Sequence, residues 1–134
     1  MSLSNITQGF IKAVGAMCGI AMFALPFSTH AATTSYTCKY NLTATQNGLS
    51  DEEFSLQFIH DAVSKKAYMI GNLGSTEVIV VPNNAGISFV EITDVGNVMS
   101  TSINTSGKSV HSRHTIWDGE NMQPSQYYGQ CSAK

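Results

Sequence analysis

The sequence predicts a small all-β domain, an antiparallel eight-stranded barrel with a two-sheet β-sandwich as the alternative, behind a cleaved signal helix. Three observations carry this expectation. Short apolar–polar alternations recur along the chain, separated by Asn, Asp, Gly and Pro turn signals at the spacing of an antiparallel meander. No stretch beyond residue 31 keeps a 3.6-residue apolar repeat over three turns. Cys38 and Cys131 lie near the two ends of that region, and a disulfide needs Cα atoms within about 7 Å. The first and last strands are then neighbours, as they are when a sheet closes on itself.

The chain has 134 residues. Residues 1–31 read as a signal peptide. A polar start with Lys12 is followed by AVGAMCGIAMFAL, an apolar run too short for a comfortable bilayer crossing, and then by the helix breaker Pro26. Cleavage after Ala31 places Ala31 and Thr29 at the two small positions a signal peptidase needs. Cys18 sits inside the apolar run, behind Met17, which is the wrong context for lipidation. Residues 32–134 then form a single domain with no further membrane span, placed in the periplasm or secreted. An oxidising compartment and only two remaining cysteines leave one intramolecular pairing, Cys38–Cys131.

The strands are expected as follows. Residues 36–43 alternate Tyr36, Cys38, Tyr40 and Leu42 against Thr37, Lys39, Asn41 and Thr43, a period-2 pattern. A polar loop over 46–52 leads to a second strand over 53–60, with Phe54, Leu56 and Phe58 on one face. Asp61 to Lys66 is compatible with a helical turn. Residues 67–71 and 76–81 form the third and fourth strands, the latter halted by Pro82. In the fifth, 87–93, the alternation slips between Phe89 and Val90, which suggests a bulge or an edge. A polar sixth strand over 97–104 turns at Thr105-Ser106-Gly107, where Gly supplies positive φ. The seventh, 108–117, ends at Asp118-Gly119, and the eighth spans 125–131.

Charge narrows the function classes. The leader holds one lysine, so the exported part sets six basic side chains against nine acidic ones, a net charge of −3. There is no basic cluster beyond Lys65-Lys66, which argues against nucleic-acid binding. The sequence shows no phosphate-binding loop, dinucleotide fingerprint or GxSxG elbow, so neither a cofactor nor a catalytic residue is assigned.

The densest polar constellation is SVHSRHTIW, residues 109–117. On a strand, His111, Arg113, Thr115 and Trp117 share one face and Val110, Ser112, His114 and Ile116 the other. Val110 and Ile116 point to the second face as the inner one. This puts His114 inside, as a core or ligand-site histidine, and leaves His111, Arg113 and Trp117 as an outer contact surface for an anion, a sugar or a protein. His60, His111 and His114, with Asp61, are the residues a metal would need. The i, i+3 pair points to opposite faces of a strand, so no metal site is assigned. Of Tyr127 and Tyr128, one faces inward by parity.

The pattern from Tyr36-Thr37-Cys38 to Tyr128-Gly129-Gln130-Cys131, with the stretches KAYMIGN, SVHSRHT and SQYYG, resembles uncharacterised small exported proteins of Gram-negative, alphaproteobacterial origin. In size and terminal cysteines the chain also distantly resembles the periplasmic inhibitors of C-type lysozyme, which are eight-stranded barrels; their loop motifs have no counterpart here. Function is expected to be that of an exported, non-enzymatic binding or interaction module for a protein or a small polar ligand, with His111, Arg113, His114 and Trp117 as binding candidates. One alternative is a periplasmic inhibitor of a lysozyme-like hydrolase. The other is a small hydrolase or ligand carrier using an interior histidine.

Overall fold

The structure, a computed structural model, describes residues 33–134. The expected leader lies outside the described residues. Eight strands follow one another: β1 (Thr33–Thr45), β2 (Gly48–Asp61), β3 (Lys66–Gly71), β4 (Gly74–Asn83), β5 (Gly86–Ile92), β6 (Val98–Asn104), β7 (Lys108–Ile116) and β8 (Met122–Ala133). Each pairs antiparallel with the next, and β8 pairs with β1, which closes the barrel. The sandwich alternative is thereby excluded. Among the described residues no helix is long and apolar enough to cross a membrane.

Closure is made at the seam the cysteines mark. Cys38 on β1 is the direct partner of Cys131 on β8, and their disulfide joins residues 93 positions apart. Both are buried in the barrel with Leu56, Phe58, Ala67, Val78, Ile87, Phe89 and Ile103. Phe58 stacks on Phe89 with centroids 4.4 Å apart, and Tyr36 meets Phe89 edge-on. These rings fill one half of the interior.

Several local expectations are corrected. The irregularity lies in β1, between Tyr40 and Leu42, whereas β5 pairs without a break through Phe89 and Val90. The bulge reverses parity, so Thr43 and not Leu42 is the fully buried residue beyond Tyr40. Opposite the bulge, a Cβ on Gly129 would strike the Lys39 carbonyl oxygen, so only glycine lets β8 approach β1 there. Pro82 does not halt β4 but pairs with Ile87; β3 pairs with β4 only as far as Val78, which leaves one side of β4 free where the missing N–H does no harm. The polar stretch 46–52 is mostly strand. Asp61 to Lys66 is a hairpin turn rather than a helical one, with Asp61 Oδ1 accepting the Val63 and Ser64 amides and Lys65 at φ 58°. Gly107 has the expected positive φ, 84°.

The meander sends the β1–β2, β3–β4, β5–β6 and β7–β8 connections to one end of the barrel and both chain ends to the other. The packing of Tyr36, Phe58 and Phe89 sits nearer the chain ends. The opposite end, the mouth, holds the site.

Candidate functional site

Cross-strand register sets two rows of inward side chains near the mouth. Phe89, Thr101, His111 and Tyr127 are successive partners across β5, β6, β7 and β8. One step nearer the mouth, Glu91, Met99, Arg113 and Ser125 form the next row. This overturns the expected facing of β7. His111 is 2% exposed and Ser109 4%, whereas Ile116 is largely exposed and His114 lies on the outside. Val110 and Ile116 misled the parity because the barrel fills this part of its interior with a polar network. Tyr127 is the inward tyrosine and Tyr128 the outward one, as parity required.

The network is tightly connected. Tyr40 Oη and Ser109 Oγ are hydrogen-bonded at 2.9 Å, and burial pushes the Tyr40 phenol up, offset in part by its hydroxyl neighbours Ser109 and Thr101. His111 Nδ1 lies 2.8 Å from Thr101 Oγ1. Arg113 donates its Nε hydrogen to His111 Nε2 at 3.0 Å. Arginine has no acceptor to offer, so His111 Nε2 must carry the lone pair and Nδ1 the hydrogen that Thr101 accepts. Burial first, and the adjacent guanidinium second, hold the His111 pKa down to about 4. The imidazole is therefore neutral near pH 7, and both of its nitrogens are engaged. It has no free lone pair for general-base work, and its Thr101 partner is an acceptor buried to 1% exposure.

Arg113 is the one cation of this interior. Its Cζ lies 5.0 Å from the Phe54 ring centroid and 4.8 Å from that of Tyr127, cation–π contacts that hold the guanidinium in place. Phe54 itself stacks on Tyr40 at 4.7 Å and meets Tyr127 edge-on at 4.6 Å. Beyond the bond to His111, the remaining Arg113 N–H groups find no side-chain partner among the described residues, and the ion pair found there, Lys66–Glu77, is on the surface. Glu91 shares the chamber without an ion-pair contact to Arg113; burial raises its pKa and the guanidinium lowers it by less.

These groups open on a cavity of about 530 Å³, lined by Phe54, Leu56, Met69, Met99, Glu91 and Arg113, with His111 also contributing and the Asn72-Leu73 turn at its edge. That size lies within the roughly 300–1,000 Å³ of small-molecule pockets. A larger hollow of about 1310 Å³ lies on the outer surface, over Lys39, Ser55, Ser88, Lys108, Tyr128 and Gln130. Part of its polar lining is engaged in hydrogen bonds, as in Ser88–Ser102, Tyr128–Gln126 and Gln130 with the Ser106 carbonyl. The inner cavity is the better site, because apolar walls and a free cation converge there.

The structure thus divides the four binding candidates. His111 and Arg113 come together inside the barrel. His114 and Trp117 do not join them: His114 is outside, opposite Pro124, and Trp117 is 69% exposed, its indole N–H donated to Gln123. Among the described residues no three His, Cys, Asp or Glu side chains converge as a metal would require. Sequence reasoning missed Glu91, Met99 and Thr101, which register alone aligns with Arg113 and His111. Comparison with protein-family models, curated proteins and solved structures returned no match.

Proposed function

We propose that the protein is an exported, non-enzymatic binding module whose site is the mouth of the barrel, with Arg113 as the group that grips the ligand. One observation carries the reading. A half-buried guanidinium held in the barrel by two aromatic rings and a neutral histidine turns terminal N–H groups that have no side-chain partner among the described residues toward a cavity with an apolar side. A cation is costly to place indoors, and one left without a carboxylate partner is suited to an anion that arrives from outside. Export is supported by the signal-like residues 1–31 and by the disulfide, which belongs to an oxidising compartment.

The test is mass spectrometry of the protein recovered from its own periplasm or medium, native against denaturing. The expected result is a denaturing mass that begins at Ala32 with two hydrogens lost, and a native mass that exceeds it by a ligand which Arg113→Gln no longer retains. Equal native and denaturing masses for the wild-type chain, or the same adduct on Arg113→Gln, would reject the site.

A further inference from the structure

Resting on that reading, we infer that the ligand is an amphiphilic monocarboxylate, its head on Arg113 and its chain running along Leu56, Met69 and Met99 to the barrel mouth. The head is set by the donors. With Nε committed to His111, the terminal nitrogens of Arg113 remain to take two carboxylate oxygens side by side. A single negative charge is favoured over two, because Glu91 stands in the same row, one strand beyond Met99, and a second charge would face it.

The chain is set by the walls and the rim. Phe54, Leu56, Met69, Met99 and Leu73 give the cavity beside Arg113 a continuous apolar side, while Thr76, Thr93 and Glu91 are among its polar lining. Methionine suits flexible alkyl chains because its own side chain adapts to them. Beyond the cavity, each of the four connections at the mouth carries a large exposed apolar residue at or beside it: Leu49, Leu73, Val95 and Trp117. The connections at the other end carry only Val63 of this kind. Apolar exposure gathered around one opening marks a place where apolar matter passes or docks. A free head group without a chain would use none of it.

The experiment is calorimetric titration of the delipidated, disulfide-intact protein with decanoate, decanol and acetate. Decanoate is expected to bind one to one, with decanol and acetate each weaker by roughly ten- to a hundredfold, the scale of a charge-assisted contact or of several buried methylenes. Arg113→Gln should reduce decanoate to the affinity of decanol. Glu91→Gln, which keeps the side-chain shape and removes the opposing charge, should tighten decanoate and leave decanol unchanged, so the assignment does not depend on Arg113→Gln folding. Acetate equal to decanoate would overturn the apolar half, and decanol equal to decanoate the head. Absence of decanoate binding while the native protein carries another adduct would overturn this inference alone; absence of both would overturn the binding site as well.

Discussion

Arg113 donates to His111 across 3.0 Å, and this single bond assigns the histidine its tautomer and occupies the lone pair a general base would need. Above its ordinary pKa of 6.5, His111 is neutral in both the folded and the unfolded chain. Between 6.5 and about 4 the unfolded chain binds a proton that the folded one refuses. Stability is therefore whole above pH 6.5, falls as pH drops through that window, and is lower by roughly 3 kcal/mol at its bottom. The groups around the ring reinforce this, since burial holds the Tyr40 phenol above its ordinary value and Arg113 is a cation, with Glu91 the one acid lining the cavity. Denaturant midpoints measured from pH 7.5 to 4 should show the decline in the wild type and a smaller one in His111→Gln.

The same pair makes a spectroscopic prediction. Nitrogen-15 chemical shifts at pH 7 should report a neutral His111 with its hydrogen on Nδ1. In Arg113→Gln its pKa should rise, because a positive neighbour is gone, yet stay below 6.5, because burial is the larger cause. An unchanged titration would mean that the guanidinium is not beside the ring in solution.

Removing the disulfide tests the seam. In the chain-entropy picture a loop of this length contributes roughly 4–5 kcal/mol. Cys38→Ser with Cys131→Ser should lose about that much in chemical denaturation, and reductant should bring the wild type to the same midpoint. A change below about 1 kcal/mol would place the closure energy in the β1–β8 hydrogen bonds.

Substitutions along β7 and its neighbours should separate inside from outside. His114→Ala and Trp117→Ala, both outward, are expected within about 0.5 kcal/mol of wild type and to keep the ligand. Phe58→Ala, which empties the stack on Phe89, should cost about 3–5 kcal/mol. Thermal unfolding of the three variants measures both ends of this contrast.

Much of the barrel is legible in the chain alone. Period-2 alternation places Tyr36, Cys38, Tyr40, Phe54, Leu56 and Phe58 on inner faces, and the two cysteines demand that the first and last strands meet, because a covalent bond has a short, fixed reach. Tertiary structure alone decides the facing of β7 and with it the site. Alternation reveals that a strand has two faces, and composition then guesses which is inner; where the interior is polar, as with Ser109, His111 and Arg113, the guess inverts. Only the partners across β6 and β8, Thr101 and Tyr127, fix the answer. Inter-strand register is a long-range property: it brings Glu91 beside Met99 and Arg113 from separate strands, and no local pattern in any one of them encodes that meeting.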